Sequence, residues 1–252
     1  MRFIWVINGT KLRNTIFILI ASFFAALVAF IQNQEMSVFS TTEGPRALTS
    51  VHTEQPHVAL TFDISWGDEQ IKPILEILKQ KNVKATFFVS GEWAERHPEI
   101  IEKIKKDGHE IGSHGMNHTA YTKLDDGEIR KDLTLAESSI YKVSNRRTTL
   151  MRPPYGKIDH DVLSIASTLD QQVILWSVNP QDDTNPGYQK IAAYTINHTE
   201  KGDIIRLHAS DSAKQTYRAL PYIIDNIQKK GLSFTTLSDL ISDTKVKTKS
   251  LN

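Results

Sequence analysis

The sequence predicts an α/β fold built on parallel strands, and three observations carry that prediction. Seven short apolar runs are separated by amphipathic stretches, both are bounded by Gly, Asn, Asp or Pro, and polar residues collect where the runs end. Strand–helix units repeated in this way require crossover helices between parallel neighbours. The sheet is then either open or closed into a barrel, and in both cases chemistry gathers at the carboxyl ends of the strands.

In order, the runs are VALTFDI (58–64), ATFFVS (85–90), HEIGSH (109–114), TLMRPP (149–154), VILWSV (173–178), DIIRLHA (203–209) and LSFTTL (232–237). Each is of strand length and rich in β-branched and aromatic residues. Between the first two, Ile71, Ile74, Leu75, Ile77 and Leu78 keep helical spacing, and Ile129, Leu133, Ala136 and Ile140 do so further on. Lys106-Asp107-Gly108 and Lys230-Gly231 read as helix ends, with glycine in the left-handed position after the last turn. There is no internal repeat.

Ahead of these units lies TIFILIASFFAALVAFI (15–31), an uncharged run of near-spanning length. Arg2, Lys11 and Arg13 precede it and no Lys or Arg follows closely, so the positive-inside rule leaves residues 1–14 in the cytoplasm and the rest outside. With no well-placed small-x-small site, an uncleaved signal-anchor is expected over a cleaved signal peptide. Residues 32–56 read as a polar linker, 57–243 as the domain, and 244–252 as a Lys-rich tail. Lys and Arg number 30 against 29 Asp and Glu, a balance that argues against nucleic acid as partner. The absence of cysteine excludes disulfides, thiolate metal sites and a cysteine nucleophile.

The candidates at the run ends are Asp63, Ser90, His114, Arg152, Asn179, Asp182 and His208. His114 and His118 in GSHGMNHT stand four apart, a spacing that on a helix puts two imidazoles on one face for zinc. Each candidate also has a plain structural alternative: Asp63 a helix cap, RPPYG a rigid turn with Arg152 on the surface, His208 a buried histidine bonded to backbone, Trp176 a core residue, Asp182 and Asp183 turn residues. Together these alternatives require five unrelated coincidences at one rim.

The order TFD, S-H-x-x-x-H, RPPYG, W-S-V-N-x-x-D, L-H resembles the NodB-type polysaccharide deacetylases, carbohydrate esterase family four, over roughly residues 57–241. TFDISWGDE, the membrane anchor and LHASDSAKQT look like its PdaB-type sporulation branch. The resemblance implies a distorted (β/α) barrel of about seven parallel strands, here behind one transmembrane helix. It implies Asp63 as catalytic base, Arg152 as the arginine holding it, His208 as general acid and Asp182 as the acid orienting it. His114 and His118 match the histidines for a divalent metal such as zinc or cobalt, with no organic cofactor. The Tyr155 amide matches an oxyanion donor, and Pro154 and Trp176 fall on the substrate side. The implied substrate is an N-acetylated glycan, peptidoglycan or a chitin-like oligosaccharide.

The pattern departs from the family at Ile64, where the norm is a second, metal-binding Asp. An alkyl side chain offers no lone pair, which weakens the metal site and leaves a glycan-binding protein of low or no activity as the alternative. Asp63 turning onto the metal, or Asp68 reaching in from a rebuilt loop, are the conceivable replacements. Arg206 stands where an apolar groove residue is usual, and is expected to depress the pKa of the acid histidine.

Overall fold

The computed structural model describes residues 19, 20, 22 and 45–248. All seven expected strands are present: β1 (His57–Ile64), β2 (Thr86–Val89), β3 (Glu110–Ser113), β4 (Leu150–Met151), β5 (Gln172–Val173), β6 (Ile204–His208) and β7 (Ser233–Thr235). Every pairing is parallel, in the order β5-β4-β3-β2-β1-β6, with β7 joined to the first half of β1. Past β5 the chain turns toward the far edge, where Val178 bridges Ile205 and Arg206 N–H donates to the Val178 carbonyl. The sheet is thus a curled, incompletely laddered barrel.

Helices α1 (Ile71–Gln80), α2 (Gly91–Arg96), α3 (Pro98–Lys106), α4 (Asp126–Ser144), α5 (His160–Thr168), α6 (Tyr188–His198), α7 (Thr216–Lys229) and α8 (Leu237–Thr248) accompany the strands, with short 3-10 turns at Tyr121–Lys123, Pro154–Gly156 and Asp182–Thr184. The predicted apolar stripes are the buried faces: Ile71, Ile74, Leu75 and Leu78 in α1, and Ile129, Leu133, Ala136 and Ile140 in α4. Gly108 and Gly231 have φ of 79° and 81° past α3 and α7, as the helix-end reading required.

The two-residue period of β1 sorts its side chains. Val58, Leu60, Phe62 and Ile64 enter the main hydrophobic core with Phe87, Val89, Ile205 and Leu207. Ala59, Thr61 and Asp63 take the other face, with Phe88, Arg206 and His208 at the corresponding positions of the neighbouring strands. Core burial on one face therefore fixes which residues the barrel interior receives.

Two boundaries differ from the sequence reading. The stretch expected as linker is packed on the domain from Arg46 onward: the Arg46 carbonyl accepts from Gln172 Nε2, Leu48 N–H donates to the Val173 carbonyl, Leu48 C=O accepts from Leu175 N–H, and Val51 N–H donates to the Gly202 carbonyl. Val51 is buried, with an apolar side chain that free linkers lack. At the other end, α8 carries helical backbone to Thr248, into the expected tail. The expected membrane span, 15–31, lies outside the described residues except for Leu19, Ile20 and Ser22. Among the described residues no helix is long and apolar enough to cross a membrane.

Candidate active site

Parallel register sets Asp63 beside His208 and Thr61 beside Arg206 on adjacent strands. Side chains at i and i+2 of one strand share a face, so Arg206 and His208 both point inward. Arg152 comes from the end of β4 and is fully buried rather than on the surface. Its Nη1 donates to Asp63 Oδ1 at 2.7 Å and to Thr61 Oγ1 at 2.8 Å, and its Nη2 to the Leu175 carbonyl at 3.0 Å. The Phe88 ring lies 4.2 Å beneath the guanidinium. Arg206 Nε donates to the other carboxylate oxygen, Asp63 Oδ2, at 2.7 Å. Burial alone would raise the Asp63 pKa; Arg152, His114, Arg206 and His208 outweigh it and hold the carboxyl far below the usual range. Asp63 is no helix cap. The N–H groups of Asp68, Glu69 and Gln70, just before α1, are met by the side chain of Asp211 instead.

His208 is oriented as the resemblance implies. Asp182 Oδ1 lies 2.7 Å from His208 Nδ1, while Oδ2 accepts from the His208 backbone N–H at 2.8 Å and from Thr216 Oγ1 at 2.6 Å. Asp182 is fully buried, beyond the needs of a turn. The turn itself is shaped by Asn179, whose Oδ1 accepts from Gln181 N–H. Burial disfavours charged His208, yet the bond to Asp182 and the charges of Asp182 and Asp63 leave its pKa raised, with Arg206 a smaller opposing influence. Arg206 does act to depress it, as expected, but the carboxylate in contact outweighs that effect. The second nitrogen, His208 Nε2, lies 2.9 Å from Arg206 Nη2.

His114 and His118 come together, with ring centroids 4.8 Å apart, but not on a helix. The segment after Ser113 is a loop turned by Gly115 and His118 at φ 75° and 53°. Asp132 of α4 pins that loop, accepting from Met116 N–H and the Tyr121 hydroxyl, both at 2.8 Å. The glycines serve packing: a Cβ on Gly112 would strike Phe88, and one on Gly115 would strike the Tyr121 hydroxyl. Ser90 caps α2 by accepting from Trp93 N–H, so it leaves the candidate set.

The donor set is the test of metal fit. His114 Nδ1 sits 2.7 Å from the Arg152 carbonyl, so it carries the proton and leaves Nε2 as an acceptor, which is buried without a partner. Burial pushes the His114 pKa down to about 3 and lowers that of His118, keeping both imidazoles neutral as ligands must be. These two residues fit a borderline cation. The family's third ligand is absent because Ile64 points into the core. Neither conceivable replacement holds, since both Asp63 oxygens are bonded to arginines and Asp68 is paired with Lys72. Among the described residues, no close group of three donors includes His114 or His118; the one such group, Asp182, Asp183 and His208, is an orienting pair with an exposed neighbour.

On the substrate side, Tyr155 is exposed at φ 61°, its ring 4.7 Å from that of His118. Gly156 presses on the Trp176 ring, where a Cβ would come within 2.4 Å. Trp176 is half-buried, and the Arg206 guanidinium covers it at 4.0 Å, so that this face is no sugar platform. Pro154 is buried in the turn carrying Tyr155. Sequence reasoning missed Thr61, Thr216, Asp132 and Asp211. Asp132 alone left a signal, a carboxylate three residues after Ile129 on the apolar stripe of α4.

A curled parallel sheet whose carboxyl rim joins an arginine-held carboxylate, an acid-oriented histidine and a histidine pair defines the acid–base site of a hydrolase. The polysaccharide deacetylase profile matches residues 50–174. A peptidoglycan-N-acetylglucosamine deacetylase of Bacillus cereus is 33% identical over 187 residues, covering 73% of this chain and 87% of its own. YlxY of Bacillus subtilis, an uncharacterized protein, is 29% identical over 80% of this chain, which spans 62% of the YlxY length. BA3943 of Bacillus anthracis, a family-four pseudoenzyme, superposes with TM-score 0.74 at 28% identity, covering 79% of this chain and 69% of its own; a mutant of it has restored enzymatic activity. The chain belongs to the polysaccharide deacetylase family.

Proposed function

We propose that this chain is an extracytoplasmic N-deacetylase of N-acetylated glycan, peptidoglycan of the cell or spore wall, tethered through residues 15–31. The observation that carries this reading is the pairing of Asp63 with His208 on adjacent strands, each held by its own partner, Arg152 and Asp182. The peptidoglycan deacetylase among its relatives supports the substrate class, and the charge pattern before residue 15 supports the orientation.

In this mechanism Asp63, oriented by Arg152, takes the proton of the attacking water as the new C–O bond forms. The Tyr155 amide donates to the acetyl oxygen as charge builds there. His208 gives its Nε2 proton to the sugar nitrogen as the C–N bond breaks, releasing acetate and a free amine, while Asp182 stabilises the imidazolium beforehand. A divalent cation on His114 and His118, zinc or cobalt, would lower the pKa of water and polarise the carbonyl. The test is acetate release from N-acetylated glycan oligomers by the purified full chain with zinc or cobalt. Release above an Asp63→Asn control supports hydrolysis, and none across several glycans refutes it.

The burial of Ile64 and the likeness to BA3943 favour a second reading, a glycan-binding relative with weak or no turnover. Glycan binding without acetate release by the parent, with release appearing in Ile64→Asp, would establish it.

A further inference from the structure

One guanidinium touches both groups to which the proposed chemistry assigns proton transfer. Arg206 Nε donates to Asp63 Oδ2 at 2.7 Å, and Arg206 Nη2 lies 2.9 Å from His208 Nε2. Its flat face rests 4.0 Å from the Trp176 ring centroid. Arginine has five N–H donors and no acceptor. The contact with His208 Nε2 is therefore a bond donated to a lone pair, so that nitrogen carries no proton and the imidazole proton sits on Nδ1, facing Asp182. With Arg206 in place, Asp63 has both oxygens engaged and His208 has both nitrogens engaged.

We propose that Arg206 is a latch: a positioning residue that closes the site by capping Asp63 Oδ2 and His208 Nε2 together, and must leave them before water and an acetamido group can be handled. This rests on the deacetylase reading for its consequence, but not for its geometry. The latch carries a positive charge that acts on His118 and lowers its pKa, so it also opposes a divalent cation there. No bond is made or broken in the latching itself. Opening returns one lone pair to Asp63 and frees His208 Nε2 to take the proton it later delivers.

The geometry makes the latch releasable. Asp63 keeps its Arg152 partner when Arg206 departs, so the carboxylate is not left alone in a dry interior. Arg206, the middle residue of β6, keeps a 12% exposed side chain, whereas Arg152 is fully buried. Stacking on Trp176 gives the closed position its definition, since a planar cation over an indole has a preferred height and tilt.

The experiment is histidine-selective 15N NMR on the full chain, together with zinc titration of the wild type and Arg206→Leu. Arg206→Met, which keeps an unbranched stem over Trp176, serves as the second variant. His208 signals are assigned through their loss in His208→Gln. In the wild type, at a pH above the folded-state pKa of His208, the neutral imidazole is expected to carry its proton on Nδ1, with Nε2 at the shift of an unprotonated, hydrogen-bonded nitrogen. In both variants that signal moves, and zinc affinity rises by about tenfold or more as a neighbouring positive charge is removed. An Nε2 proton in the neutral imidazole of the wild type overturns the latch, as do variants that change neither the signal nor the zinc affinity. If signal and affinity move but neither wild type nor variants release acetate from glycan oligomers, the latch stands and the deacetylase reading fails. If the variants also turn over faster, by kcat rather than KM, both stand.

Discussion

The two halves of the rim are built to opposite standards. On the β1–β6 side every polar atom of Asp63, Asp182 and His208 has a partner, and two arginines share one carboxylate. On the β3 side, His114 keeps a buried ring nitrogen with no partner, beside a second neutral imidazole. A saturated network resists change and defines one geometry; an unmet acceptor invites a ligand. The difference also shows where the family pattern has shifted. The anionic ligand is missing on one side because Ile64 follows the strand alternation into the core, and a cation, Arg206, has been added on the other.

The sharpest way to break this contrast is Asp63→Asn. It strips charge from between two arginines, one of them fully buried, and is expected to cost about 3–5 kcal/mol in urea unfolding along with all activity. A loss below about 1 kcal/mol would show that the network is not what holds this half together. Ile64→Asp comes next. A carboxylate placed on the core face of β1 is expected to cost about 3 kcal/mol without metal. If the strand end bends so that it joins His114 and His118, zinc at a hundredfold excess over its Kd returns about 2.7 kcal/mol. Thermal unfolding with and without zinc distinguishes the two positions, and the parent should show a smaller zinc response.

Asp182→Ala leaves three buried donors without their acceptor, for an expected loss of about 2–3 kcal/mol, with His208 losing its orientation and its raised pKa. The smallest effect is in pH. Because the folded pKa of His208 lies above its unfolded value, the stability from its pairing with Asp182 is complete below about pH 6.5 and fades as pH rises through the folded value. Melting temperatures across neutral to alkaline pH should show this decline in the wild type and lose it in Asp182→Ala.

Much of this arrangement is legible in the chain itself. Seven apolar runs of the right length became seven strands, and polar residues at their ends met at one rim because parallel strands all point the same way. Asp63, Arg152, Asp182 and His208 were readable from position alone. What was not readable depends on partners distant in sequence. The bond from Arg206 to Asp63 spans strands whose register no local pattern specifies. Asp211 closes the first turn before α1 from far along the chain, and the Gly67 backbone is pressed so close to it that a Cβ would overlap its carboxylate. The direction of Ile64 was the one point where strand alternation held the answer, since an even-numbered residue of β1 had to follow Phe62 into the core.

The packed segment beginning at Arg46 alters how far the domain can travel from whatever holds its N-terminal side. Nine of its residues, 48–56, that an unstructured reading would count as free rope are stitched to the barrel edge. At ~3.3–3.6 Å each when extended, that removes about 30 Å of reach. Were the chain tethered ahead of this segment, as proposed, tension would arrive first at Arg46, whose carbonyl accepts from Gln172 Nε2, and then at Leu48 and its bonds to Val173 and Leu175, a few residues from Trp176. A taut leash would thus pull next to the indole on which Arg206 rests, rather than at the distant base of β1.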